Sequence, residues 1–175
     1  MESVILEKLI EDLGLEIIYR AESMDKVKIS APEVNRPGLQ LAGYFEAFAH
    51  DRLQIIGKVE WYYCNSLEER LRYERFDKLF SYPIPALIFA RGLPIFDEVT
   101  QLAKKYDRTI LTTSLSTTKL ENSIINYLDY MLAPTTVVHG VLVEVYGLGI
   151  LIIGESGVGK SETALELIKR GHRLI

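Results

Sequence analysis

Gly154-Glu155-Ser156-Gly157-Val158-Gly159-Lys160-Ser161 is the stretch whose reading decides the fold. It fits G-x-x-x-x-G-K-[ST], the P-loop pattern for phosphate binding. The glycines at 154, 157 and 159 let the backbone curl until its N–H groups point at phosphate oxygens. Lys160 supplies a mobile cation for the outer phosphates, and the Ser161 hydroxyl suits the Mg²⁺ that travels with them. Glu155, Ser156 and Val158 occupy the remaining loop positions. The flanks pass the context test for this motif. Residues 149–153 are a short apolar run suited to a buried strand. Residues 161–170 predict a helix with Ala164, Leu167 and Ile168 on one face and Gly171 as its stop. Strand, glycine loop and helix therefore come in the order that aims a helix N-terminus at an anion.

Composition narrows the class. The chain has 175 residues, 48% hydrophobic and 25% charged, enough apolar surface for one domain or one and a half. Formal net charge is −4 with scattered Lys and Arg, which argues against nucleic acid as a partner. Cys64 is the only cysteine, so no internal disulfide forms and a cytoplasmic setting is expected, with Cys64 read as a small buried apolar residue. The N-terminus is no signal peptide, because acidic residues interrupt its apolar run. Residues 137–154 approach the length of a membrane span but contain His139 and Glu144, and read as strands; no membrane association is expected.

Upstream of the loop, apolar positions 5, 6, 9, 10 and 13 make a helical stripe that Gly14 ends. Residues 15–19 and 27–30 predict short strands. Residues 31–43 open as a loop, since Pro32, Pro37 and Gly38 oppose regular structure, and Arg36 there is a weak candidate for an anion contact. Strands are expected at 53–56, 86–90 and 109–113. Ser66-Leu67-Glu68-Glu69 reads as a capping box opening a helix with Leu67, Leu71 and Leu79 on one face. Further helices are expected at 94–106, with Pro94 in the first turn, and at 116–131. Trp61-Tyr62-Tyr63 reads as a strand that serves core packing or a subunit contact. The alternation of strand and helix predicts an α/β fold with a largely parallel sheet. Residues 133–136 mark the boundary between an N-terminal α/β domain (1–132) and a P-loop domain (133–175) that opens with a β-hairpin, turning at residues 147–149. A phosphate loop does not by itself choose a reaction, and the carboxylates that complete such sites normally follow the loop's helix, so the chain reads as the front part of a longer enzyme.

The run from His139 through Leu167, His-Gly-Val-Leu-Val-Glu-Val-Tyr-Gly-Leu-Gly followed by the strand, the loop and its helix, resembles bacterial HPr kinase/phosphorylase. So does Asn35-Arg36-Pro37-Gly38-Leu39-Gln40-Leu41-Ala42-Gly43, and the similarity covers the whole chain. The resemblance implies a kinase domain related to phosphoenolpyruvate carboxykinase. It implies ATP- or pyrophosphate-dependent phosphorylation of a serine on the phosphocarrier HPr, reversed by phosphorolysis, with Mg²⁺, in homohexamers that serve carbon catabolite control. By the same resemblance residues 154–161 bind the nucleotide or pyrophosphate, Lys160 is the catalytic lysine, Ser161 the Mg²⁺ ligand and His139 an active-site histidine. The family's catalytic aspartate, second acidic metal ligand and late arginine correspond to positions after Ile175. Two other readings compete: a nucleotide-sensing regulatory protein whose loop binds without chemistry, and an interaction module formed by residues 1–132.

Overall fold

A computed structural model describes residues 3–175. The chain opens with strand β1 (Val4–Ile5), helix α1 (Leu6–Leu13), strands β2 (Glu16–Tyr19), β3 (Lys28–Ile29) and β4 (Val34–Asn35), and the one-turn helix α2 (Gly38–Leu41). Strand β5 (Leu53–Ile56), helices α3 (Lys58–Ser66) and α4 (Glu69–Phe80), strand β6 (Ala86–Phe89), helix α5 (Asp97–Tyr106), strand β7 (Thr109–Thr112) and helix α6 (Thr117–Met131) follow. The last stretch is β8 (Gly140–Val145), β9 (Leu148–Ile153), α7 (Lys160–Lys169) and β10 (Arg173–Leu174). Two compact units result, the first reaching Ala133 and the second spanning Pro134–Ile175.

The first unit is built on a sheet of order β2-β7-β6-β5-β4. Strands β4 to β7 run parallel, and β2 joins β7 antiparallel at the edge. This is the expected α/β fold with a largely parallel sheet. Side chains alternate between its faces, as the two-residue period of a strand requires. Leu53, Ile55, Ala86, Ile88 and Leu111 pack with α1 and α6 through Leu6, Leu9, Leu120, Ile124 and Leu128. Ile56, Leu87, Phe89 and Ile110 pack on the other side with Cys64, Phe76, Phe80, Val99 and Leu102 from α3, α4 and α5. The α1 stripe ends at Gly14 as expected, in the left-handed conformation at φ 61°. The strand expected at 27–30 forms as β3 but pairs with β1, outside the main sheet.

Several local expectations are corrected. Trp61-Tyr62-Tyr63 lies on helix α3, not a strand. Aromatic strand propensity yields here to tertiary packing. The Trp61 ring stacks on Phe96 at 5.4 Å between centroids, and its Nε1 donates to the Pro94 carbonyl at 2.7 Å. Ser66 does not cap α4: it closes α3, its hydroxyl donating to the Tyr63 carbonyl at 2.7 Å, and α4 starts after Glu68 with no side-chain cap. The reciprocal carboxylate of a capping box occurs instead at the start of α3, where Glu60 Oε2 accepts the Gly57 N–H at 3.0 Å. Helix α5 begins at Asp97 rather than Pro94, because residues 93–96 stay extended to hold Phe96 against Trp61. The loop expected at 31–43 contains β4 and α2.

In the second unit β8 pairs antiparallel with β9 on one side and β10 on the other. The hairpin turns at Tyr146 and Gly147, both at positive φ (51° and 80°), one residue earlier than expected. Val143 and Ala164 are its buried apolar side chains. Among the described residues no helix is long and apolar enough to cross a membrane.

Candidate functional site

The loop between β9 and α7 carries the candidate site. Helix α7 starts at Lys160, with Gly159 at its N-terminal boundary in the left-handed region (φ 94°); Gly157 is also left-handed (φ 85°). Side chains would be strained at both positions, so glycine is what permits the curl. Lys160 Nζ bends back across the loop and donates to the carbonyl oxygens of Gly154 (2.9 Å) and Glu155 (2.7 Å). Among the described residues, loop positions 155–159 have one internal backbone hydrogen bond, a long one of 3.4 Å from the Val158 N–H to the Glu155 carbonyl. The other loop N–H groups, and those at the start of α7, remain open to an outside acceptor. A curled backbone with free donors, one lysine spanning it and a helix N-terminus behind it fits a phosphate group. Ser161 is exposed on the first turn of α7, and Thr163 Oγ1 ties that turn to the Gly159 carbonyl at 2.9 Å.

His139 is exposed and immediately precedes β8. The hairpin register pairs Gly140 with Ile153, so His139, one residue before β8, and Gly154, one residue after β9, both leave the hairpin at its open end. Residues 139 and 154–161, singled out separately in the sequence, are thus brought to one end of the second unit. Among the described residues no group of three or more His, Cys, Asp or Glu side chains forms a metal cluster.

Arg36 behaves differently from its sequence reading. Its guanidinium meets an internal carboxylate: Nη2 lies 2.8 Å from both oxygens of Glu60, and Nε lies 3.8 Å from Glu121. The hydrogen bond to Glu60 raises the Arg36 pKa. A polar junction missed in the sequence results, joining the ends of β4 and β5 to α3 and α6. The signal was Glu60 standing three residues after Gly57. A second missed feature lies on α4 and α5. The Arg72 guanidinium sits 4.5 Å over the Phe96 ring and pairs with the nearly buried Glu98. Cys64 is fully buried, as expected, and burial pushes its thiol up to about 12 despite the nearby Arg72 cation.

Comparison with known proteins agrees with this architecture. Residues 4–128 match the family model described as HPr Serine kinase N terminus, and residues 130–175 match HPr Serine kinase C-terminal domain. The chain is 55% identical over 100% of its length to an HPr kinase/phosphorylase of Caldanaerobacter subterraneus subsp. tengcongensis, 57% of which it covers. It is 51% identical over 100% of its length to the one from Alkaliphilus metalliredigens, covering 56% of it. It is 49% identical over 98% of its length to the one from Clostridium acetobutylicum, again covering 56%. The chain thus spans little more than half the length of these curated relatives. A solved structure of the CBS and DRTGG domains of the regulatory region of Clostridium perfringens pyrophosphatase shares the fold. Its TM-score is 0.52 at 19% identity, over 76% of this chain and 52% of that one. With family models matched along nearly all of its length, the chain belongs to the HPr kinase family.

Proposed function

We propose that this chain supplies the N-terminal unit and the phosphate-binding opening of an HPr kinase/phosphorylase, acting on a serine of HPr with ATP or pyrophosphate and reversing the transfer by phosphorolysis. The observation that carries the reading is the loop itself: Lys160 folded over a curl of open N–H groups, with His139 at its edge. The loop amides of residues 155–159 orient the phosphates. Lys160 exchanges its two carbonyl contacts for phosphate oxygens, which keeps its charge compensated in both states. Ser161 would hold Mg²⁺, whose role when bound is to offset charge on the phosphoryl oxygens during transfer. His139, which leaves the hairpin at the same end as Gly154, would donate to the same anion. Residues outside this chain complete the proton transfers with the HPr serine. The working protein is a cytoplasmic homohexamer in carbon catabolite control.

The test uses a polypeptide of the relatives' full length. Lys160→Ala should abolish both HPr phosphorylation and phosphorolysis, and should weaken nucleotide binding in a fluorescence titration. Phosphorolysis that survives while phosphorylation is lost would break the idea of one shared site. Nucleotide binding with no phosphotransfer by the wild type would favour a sensor.

A further inference from the structure

The first unit contains a cavity that the phosphate loop does not use. It measures roughly 310 Å³ and is lined by Lys28, Ser30, His50, Asp51, Ile84 and Arg108, among others. It lies at the amino ends of the parallel strands. His50 and Asp51 precede β5, Ile84 precedes β6, Arg108 immediately precedes β7, and Lys28 comes from β3.

Its charges are unbalanced. Arg108 is half-buried and anchored only to backbone carbonyls, Nε to Tyr82 and Nη1 to Asp107, each at 3.3 Å. These contacts fix the guanidinium without neutralising it. The carboxylate nearest in sequence, Asp107, is held chiefly by other groups, with attraction to Arg108 the least of the influences that lower its pKa. It accepts the backbone N–H groups of Glu22 and Ser23 at 2.6 and 3.1 Å. Lys28 forms no ion pair among the described residues. Arg52, next to Asp51, already pairs with Glu33. His50 lines the same cavity, and its Nδ1 is buried with no hydrogen-bond partner among the described residues. Asp51 is the single acid against two cations and a histidine.

We infer that this cavity binds a small anion carrying a phosphate group. Donors arrive from three separate segments, β3, the turn before β5 and the start of β7. Donors from several segments suit a tetrahedral oxyanion, whereas a planar carboxylate is matched by the fork of one arginine. Next to the lining, the His50 and Tyr82 rings lie 5.7 Å apart and Arg108 Nε donates to the Tyr82 carbonyl, contacts that pre-order this part of the site. The site is independent of the loop at residues 154–161.

The experiment is an amide-resolved NMR titration of the whole chain with inorganic phosphate at constant ionic strength. Saturable shifts are expected at Ser30, Asp51, Ile84 and Arg108, distinct from those at residues 157–161. Arg108→Gln and Lys28→Gln should each weaken the first set by about tenfold or more, the loss expected for one charge-assisted hydrogen bond, and leave the second set unchanged. Lys28 is exposed, so its variant retains the fold and decides the matter if Arg108→Gln does not fold. Shifts around the cavity that stay linear in phosphate, or that persist unweakened in Lys28→Gln, overturn the inference. Response at the loop alone overturns it and leaves the proposed function standing. Response at the cavity alone does the reverse.

Discussion

Strands β6 and β9 are written in nearly the same alphabet, Ala-Leu-Ile-Phe and Leu-Gly-Ile-Leu-Ile-Ile, and meet opposite fates. Every residue of β6 is 0% exposed, whereas Leu148, Ile150, Leu151 and Ile153 of β9 are 69, 43, 51 and 61% exposed. The difference lies in what surrounds them. Strand β6 has a parallel neighbour on each side and helices on both faces. Strand β9 is the edge of a three-stranded sheet, with one helix in its unit. An apolar run therefore specifies a strand, and only the surrounding elements decide whether that strand stabilises anything. Within this chain, stability should reside in the first unit, and the candidate phosphate loop sits on the less buried second one.

The largest effect that sharpens this contrast is core truncation. Phe89→Ala should cost about 3–5 kcal/mol in urea denaturation, because a fully buried aromatic leaves a cavity behind. Leu151→Ala, at a half-exposed position, should cost less than about 1 kcal/mol. Amide exchange should rank the same way, slow along β6 and fast along β9. Equal costs for the two substitutions would break the comparison.

The next effect concerns why each unit keeps a glycine at a junction. Gly57 has an ordinary φ of −99°, but a Cβ there would lie 2.7 Å from Thr117 Oγ1, 3.0 Å from Glu60 Oε2 and 3.2 Å from Arg36 Nη2. Gly57→Ala should therefore cost about 1–3 kcal/mol through crowding of that polar junction. Gly147 meets nothing within 4 Å and sits at φ 80°, so Gly147→Ala should cost about 1 kcal/mol through backbone strain alone. Rescue separates the causes. Thr117→Ala in the Gly57→Ala background removes the hydroxyl that the new Cβ would meet most closely and should recover part of the loss. No side-chain change should rescue Gly147→Ala.

Legibility in the sequence followed the range of the interaction involved. The α1 stripe with its Gly14 stop, the apolar strands β5, β6 and β7, and the strand–loop–helix order around Lys160 are set by period and by backbone requirements within a few residues. Those features were readable. Trp61-Tyr62-Tyr63 was misread because its helix depends on Phe96 and Pro94, more than thirty residues away. Arg36 looked like a free cation because its partner, Glu60, lies across the neighbouring strand and helix. That His139 and Gly154 leave the hairpin at the same end was implicit in the hairpin. It required the register, which a turn displaced by one residue would have changed. The cavity around His50 and Arg108 had no local signature, because its lining comes from four separate segments.

The one effect that is absent at neutral pH and emerges only above about pH 9 is a pH dependence carried by Cys64 in the first unit. Burial, ahead of every other influence, raises the Cys64 thiol from 9.0 to about 12. The folded chain therefore resists forming the thiolate, and the unfolded chain forms it readily above about pH 9. Stability from this group is fully present below about pH 9 and is lost as pH rises toward 12. Each pH unit within that window removes about 1.4 kcal/mol. Comparing denaturation of the wild type with Cys64→Ala isolates the term from the other groups that titrate there. The variant should start lower, having lost buried contacts, and fall less steeply. Parallel slopes would mean that the thiol opens to solvent in the folded state. A native thiol that reacts at pH 8 as fast as free cysteine would say the same. Either result would undercut the view that the first unit is the rigid part, since Cys64 sits at 0% exposure in the core that supports α3, α4 and α5.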